Sequence, residues 1–243
     1  MHSPKVVSRE ECLVARKAHL KNEKALTRMR DLVSAERRTL PWVKVEKDYL
    51  FDTPEGKKRL ADLFGNNSQL IVYHFMWRWD LGQGCASCSF FADHVDGANI
   101  HLANHDVSFV AISRGKLADL EAYRKRLGWK FPLISSYGSD FNFDFGVSFT
   151  EEQLKGKVDY NYQMIDGKDA FNELPGTSVF FRDGDGSVFH TYSSYARGGD
   201  LLLGAYNFLD LTPKGRNEDE IMEWVKRNDE YEADKQSASC CAA

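Results

Sequence analysis

The sequence has no apolar run long enough to cross a bilayer, no surplus of basic residues and no regular ladder of cysteines. Its longest apolar stretches, such as "LIVYHFMW" at residues 70–77, fall far short of the roughly 20 residues that a membrane span needs. Lysine and arginine number 32 against 36 aspartates and glutamates, a net charge of −4, which argues against a nucleic-acid or anionic-membrane partner. The opening "MHSPKVVSREEC" has no apolar secretory core and runs directly into charged residues, so a cytoplasmic protein is expected. Cys12, Cys85, Cys88, Cys240 and Cys241 make no even disulfide framework, and 243 residues with 42% hydrophobic content can build a core without one. In a reducing compartment a close cysteine pair is a catalytic or metal-binding feature sooner than a structural one. There are no repeats and no composition shift that marks a linker.

What the chain does have is a readable order of elements. Ser8, with Glu11 three residues on, is a capping box that starts a long charged helix running to Pro41. Leu13, Leu20, Met29 and Leu32 are expected to form its apolar stripe, which packs on the domain or on a second subunit. "WVKVEKDYLFDTP" alternates as a strand or hairpin, "GKKRLADLFG" reads as a short helix or turn, and "SQLIVYHFMW" as a buried central strand. A strand over 107–114, an amphipathic helix ending at Gly128 and the short "WKFPLISS" segment follow. The aromatic stretch from "YGSDFNFDFGVSFT" to "DYNYQMIDG" has no clear period and reads as loop-rich. "TSVFFRDGDGSVFHTY" is a hairpin punctuated by Asp-Gly, and two helices, "GDLLLGAYNFLDL" and "EDEIMEWVKRNDEYEADK", lead to a small polar tail expected to be disordered. The division that follows is a helical extension over 1–40, an α/β domain over 41–212, and a helix with a tail over 213–243.

Function turns on "GCASCSFFADHVDG". A cysteine at a helix start lies near unpaired backbone N–H groups and the positive end of the helix dipole, and both favour thiolate. Cys85 is therefore the expected nucleophile, and Cys88, one turn on, can resolve a mixed disulfide. Gly82 and Gly84 precede the pair, the strand "LIVYHF" lies upstream, and Phe91, Val95, Ala98 and Leu102 recur as the packed face of a following helix. Strand, glycine-containing loop, C-x-x-C and helix make a specific context. The approach "RWDLGQ" is long and could form a lid over the sulfur.

Several long segments resemble one family. "SREECLVARKAHLKNEKALTRMRD", "QLIVYHFMW", "GCASCSFFADHVDG", "GSDFNFDFGVSF", "YNY" and "YARGGDLLLGAYNFLDLTPKGRNE" are similar to a bacterial thioredoxin-like family known only as a domain of unknown function (DUF 899 type), within the thioredoxin-fold superfamily. The likeness runs from about residue 7 to 218. It implies a thioredoxin-like α/β fold, with a mixed central sheet flanked by helices, an N-terminal helix and a C-terminal helical extension. It brings no settled substrate. In that fold a cis-proline before the late hairpin lies against the dithiol and docks extended substrates, which assigns Pro175, Gly176 and Thr177 to docking. His74 then approximates the place where thioredoxins keep a buried acid, and could shuttle a proton during resolution. The chain departs from the superfamily pattern with Ala-Ser between its cysteines.

The leading function is thiol–disulfide oxidoreduction through Cys85 and Cys88. It needs no organic cofactor beyond the redox-active disulfide itself, although an electron donor and an unidentified disulfide or oxidised substrate are implied. Peroxiredoxin chemistry places Thr or Ser three residues before its reactive cysteine, and Gly82 stands there instead. Two alternatives remain. One is a metal-binding or delivery protein using the same thiols with His94, His101 and His105, which fall on one helical stripe, or with His74 and His190. The other is a non-catalytic thioredoxin-fold binding module using the aromatic residues Trp77, Trp79, Tyr137, Phe141, Phe143, Tyr160 and Tyr162.

Overall fold

The computed structural model describes residues 4–231, so the tail with Cys240 and Cys241 lies outside the described residues. The chain divides into two units, one ending at Pro41 and one beginning at Trp42. The first unit is helix α1 (Arg9–Arg37), opened by the expected capping box: Ser8 Oγ accepts from the Glu11 N–H at 3.2 Å, and Glu11 returns the bond to the Ser8 N–H at 3.0 Å. None of its residues is buried. The expected apolar stripe does not form, and helical geometry explains why. At about 100° per residue, Leu13 and Leu20 lie within about 20° of each other, while Met29 and Leu32 lie about 100–160° round from Leu13.

The second unit holds an eight-stranded sheet. In chain order come β1 (Val43–Lys44), the hairpin of β2 (Leu50–Thr53) and β3 (Gly56–Arg59), and the central β4 (Gln69–His74). A small two-stranded hairpin follows, β5 (Trp77–Arg78) with β6 (Gln83–Gly84), and then helices α2 (Ala86–Ala92) and α3 (Val95–Ala103). Strand β7 (Val107–Ser113), α4 (Leu117–Arg126) and β8 (Leu133–Ser135) complete a right half in which β4, β7 and β8 run parallel. Short helices α5 (Phe141–Asp144) and α6 (Glu151–Leu154) lead to a second small hairpin, β9 (Lys157–Tyr160) with β10 (Gln163–Asp166). The long hairpin of β11 (Gly176–Arg182) and β12 (Val188–Tyr195) and then α7 (Gly204–Leu209) end the regular structure.

Sheet order is β1-β12-β11-β4-β7-β8-β2-β3. Four neighbouring strands, β12-β11-β4-β7, a parallel β4/β7 pair joined through α2 and α3 with the β11/β12 hairpin added on the β4 side, are the thioredoxin arrangement. The fold is thus a thioredoxin-like α/β fold with a mixed sheet. Strand β4 is apolar on both faces because both are covered. Leu70 and Val72 join Phe64, Phe141, Phe180 and Ile112 in one core, while Tyr73 joins Phe75, Phe91, Leu120 and Phe131 in the other. Removing a fully buried ring such as Phe141 costs about 3–5 kcal/mol at such a position.

Four expectations change. Residues 56–59 are strand, not helix, and a 3-10 turn (Leu60–Phe64) follows them. The aromatic stretch read as loop-rich holds the short helices α5 and α6 and the β9/β10 hairpin between its loops. The cysteine helix breaks at Asp93 and His94, so Ala98 is exposed instead of lying on a continuous packed face with Phe91 and Val95. The charged segment from Glu218 is turns, not helix, over its described residues up to 229. Glu218 Oε2 accepts from the Tyr206 hydroxyl (2.8 Å), the Trp224 indole (2.9 Å) and the Met222 N–H (3.1 Å), and these tertiary bonds replace the i to i−4 ladder. Among the described residues no helix is long and apolar enough to cross a membrane.

Candidate dithiol site

Cys85 is the N-cap of α2, in extended conformation, just after the β5/β6 hairpin returns the chain to the sheet. Its own N–H donates to the Met76 carbonyl at 3.1 Å. The residue before it is held on every side. The Gly84 carbonyl accepts two bonds from the buried Arg227 guanidinium, at 2.7 and 3.2 Å, and one from the Tyr123 hydroxyl at 3.4 Å. A Cβ at Gly84 would sit 2.6 Å from both the Phe75 and the Tyr123 rings, so the close approach itself requires glycine here. Tyr123 and the Cys85 carbonyl are joined through the Ser89 hydroxyl, at 2.8 Å to each.

The two thiols are free, and they differ sharply. Cys85 is half-buried, while Cys88 is 1% exposed. The Cys88 thiol donates to the Cys85 sulfur, the N–H groups of Cys88 and Ser87 point at it, and the Arg78 guanidinium adds charge. Against the opposing effect of burial, these pull Cys85 down to about 6. Burial pushes Cys88 well up, and sharing its proton with Cys85 pushes further. Two donors act in the other direction: the Tyr73 hydroxyl and the Met76 N–H both reach the Cys88 sulfur.

A cavity of about 90 Å³ opens beside Cys88. Tyr73, Met76, Phe91, Leu203 and Met222 give it an apolar lining, and Pro175, Gly176 and Thr177 line it as well. The structure thus brings Cys88 together with all three residues assigned to docking. Among the described residues no peptide bond is cis, so the expected cis-proline is a trans Pro175.

His74 does not belong to this site. Successive side chains of β4 point to opposite faces, so Tyr73 meets the dithiol and His74 goes to the other core. There it stacks on Phe141 and Phe145, at 5.5 and 5.8 Å, and its Nε2 is 2.8 Å from Ser178 Oγ. Burial, with His190 nearby, lowers it to about 3. The proton-shuttle reading of His74 fails on this geometry. The histidine stripe also dissolves at the helix break. His94 Nδ1 is 2.7 Å from the Phe90 carbonyl and its Nε2 accepts from the Ala205 N–H at 3.0 Å, so both nitrogens are engaged, while His101 and His105 are exposed. The aromatic residues split as well: Trp77, Phe141 and Tyr160 are buried, while Trp79, Tyr137 and Tyr162 are exposed.

Residue-by-residue reading of the sequence missed Tyr73, Arg78, Glu173 and Arg227. Tyr73 was within reach of the alternation rule, since only one residue of an adjacent pair in a strand can face the helix. Glu173 is 2% exposed, and its carboxylate accepts from the Trp77 N–H at 2.7 Å. Arg114 stands 3.9 Å away, and Oε1 has no hydrogen-bond partner. Burial lifts this carboxyl to about 7, against the Trp77 N–H, Arg114 and the Trp79 indole. Nothing in the local sequence marks Glu173 or Arg227, because each acts on a segment far away in the chain.

Residues 1–231 match the family described as "Bacterial protein of unknown function (DUF899)", and the chain belongs to that family. No curated protein matches it by sequence. Similar solved structures include peroxidoxin BcpB from Mycobacterium tuberculosis, 17% identical over 68% of this chain and 94% of that one, with a TM-score of 0.44. Peroxiredoxin Q from Xanthomonas campestris is 11% identical over 70% and 96%, with a TM-score of 0.43. A putative thiol:disulfide interchange protein DsbE from Chlorobium tepidum is 14% identical over 68% and 94%, with a TM-score of 0.40.

Proposed function

We propose that this member of the family is a thiol–disulfide oxidoreductase in which Cys85 is the nucleophile and Cys88 the resolving thiol. The observation that carries the reading is the asymmetry of the pair: a half-buried sulfur drawn to about 6 beside a fully buried thiol pushed up. A thiolate with a pKa just below neutrality is present in quantity and keeps nucleophilicity, which is the favourable range for exchange.

In the first step the Cys85 thiolate attacks one sulfur of a substrate disulfide. The substrate S–S bond breaks, one thiolate leaves and takes a proton, and a mixed disulfide remains on Cys85. Cys88 then loses its proton and attacks the Cys85 sulfur, releasing the second substrate thiol and leaving a Cys85–Cys88 disulfide. Tyr73 and the Met76 N–H donate to the Cys88 sulfur as its charge develops, so Tyr73 takes the place once assigned to His74. Arg227, through the Gly84 carbonyl, fixes the main chain that carries Cys85. A dithiol donor returns the pair to the reduced state. Pro175, Gly176 and Thr177 form the wall against which the substrate lies.

The test is trapping. Cys88→Ser, exposed to a model disulfide, accumulates a mixed disulfide on Cys85, read by the mass of the peptide that carries residues 85 and 88 so that the exposed Cys12 does not count, and the same peptide of Cys85→Ser accumulates none. Equal labelling of both variants, or labelling of neither, contradicts the assignment.

A further inference from the structure

A strand binds an extended peptide only where its backbone donors and acceptors are unpaired. At Pro175 they are largely spent. Strand β11 is internal from its first residue: Gly176 pairs with His74 on one side and Tyr195 on the other, and Thr177 with Tyr73 and Ser194. Immediately before it, the Leu174 N–H donates to the Val147 carbonyl at 2.9 Å and the Phe149 N–H to the Asn172 carbonyl at 3.0 Å, so residues 147–149 already pair with this segment through an antiparallel bridge at Ser148 and Glu173. The Pro175 carbonyl accepts from the Tyr160 hydroxyl at 2.7 Å, and the same hydroxyl accepts from the Ala196 N–H at 3.1 Å. Proline itself has no N–H to offer.

The cavity beside Cys88 is correspondingly small and apolar. Its volume of about 90 Å³ is smaller than the roughly 150 Å³ of an apolar cavity that takes up benzene. Among its lining residues the one charged side chain is Asp200, already paired with Arg197 at 3.2 Å and Arg216 at 3.3 Å. No lysine or arginine lines it to receive a substrate carboxylate.

We propose that the dithiol acts on a neutral, low-molecular-weight disulfide bearing a compact apolar substituent, not on an extended polypeptide. This rests on the exchange chemistry proposed above and names its substrate class. With one sulfur of the disulfide at Cys85, the substituent lies over Ser87 and Cys88 and fills the cavity between Phe91 and Leu203. The stoichiometry is one disulfide and the reduced pair giving two small thiols and the Cys85–Cys88 disulfide.

The full-length reduced protein is assayed with dithiothreitol as donor against three probes: dipropyl disulfide, oxidised glutathione and insulin. After subtraction of the rate with Cys85→Ser, kcat/KM for dipropyl disulfide exceeds that for either of the others by at least about tenfold, the discrimination one small apolar pocket supports. Gly199→Phe adds a ring to the lining of the cavity, where an added Cβ meets only the Phe91 ring, at 3.6 Å. It lowers the dipropyl disulfide rate about tenfold while the thermal midpoint stays unchanged. Insulin or glutathione disulfide turned over as fast as dipropyl disulfide overturns the substrate class and leaves the exchange chemistry standing. Turnover of none of the three, with Cys85 still alkylated by iodoacetamide, overturns both. A Gly199→Phe variant that folds and keeps full activity removes the cavity from the account.

Discussion

Tyr73 and His74 are consecutive residues of one strand, and each sits in a polar environment buried under aromatic rings. On the Tyr73 face the polar groups meet a half-open site: a hydroxyl and backbone N–H groups aim at two sulfurs, one of them near neutrality. On the His74 face they close on one another. His74, Ser178, Ser193 and His190 form a chain with contacts of 2.8, 2.8 and 2.7 Å, walled by Phe141, Phe145 and Phe180. The difference shows what burial alone does to a titratable group and what burial beside donors does. Deep burial, with His190 nearby and no opposite charge, drives His74 to about 3, so it stays neutral across the working range. The Cys88 thiol and the N–H groups of Cys88 and Ser87, donating to a sulfur that is only half-buried, bring Cys85 to about 6, where it can gain and lose a proton.

The comparison can be strained first at Glu173, the buried carboxyl that holds the base of the β5/β6 hairpin on the thiol side. Its ordinary value is 4.5 and its folded value about 7, so the folded chain keeps a proton that the unfolded chain releases between those limits. The stabilising contribution is complete below 4.5 and is lost as pH rises through 7. Glu173→Gln removes that loss. Urea unfolding should show the variant gaining on the wild type, from acid to alkaline pH, by something on the order of 3 kcal/mol. A stability difference that does not change with pH contradicts the assignment.

A smaller effect is expected on the closed face. Ser178→Ala leaves His74 without its hydrogen bond, and His74 Nδ1 already has none, so stability falls by about 1–3 kcal/mol. Disulfide turnover stays within about twofold, because this face does not touch the sulfurs. Loss of turnover without loss of stability would return a redox role to the relay.

The smallest change in free energy is the most specific. Tyr73→Phe removes the hydroxyl from Cys88 and slows the decay of the mixed disulfide about tenfold, the worth of one hydrogen bond to a developing charge. The initial attack by Cys85 is unaffected. Slowing of both steps equally makes Tyr73 a packing residue and nothing more.

Much of this was legible in the residues, for identifiable reasons. The dithiol, the central strand, the α4 helix and the late hairpin each carry local signals: glycines before Cys85, an apolar run over 70–77, Gly128 at a helix end, and Asp-Gly between β-rich runs. Family resemblance supplied the thioredoxin-like fold with its mixed sheet, which no local signal contains. What stayed hidden was tertiary. The C-terminal charged segment has helical composition, yet the side chain of Glu218 and the reach of Arg227 to Gly84 hold it in turns. The choice of His74 over Tyr73 came from counting along a strand without asking which face each residue takes.

The central claim is that Cys85 is a thiolate at neutral pH while Cys88 keeps its proton. Alkylation of the reduced protein by iodoacetamide, followed against pH with each cysteine identified by peptide mass, tests it directly. The account predicts a Cys85 rate that rises with a midpoint of about 6, while Cys88 stays unlabelled over the same range. A Cys85 midpoint near the ordinary thiol value of 9.0, or labelling of Cys88 ahead of Cys85, would contradict it.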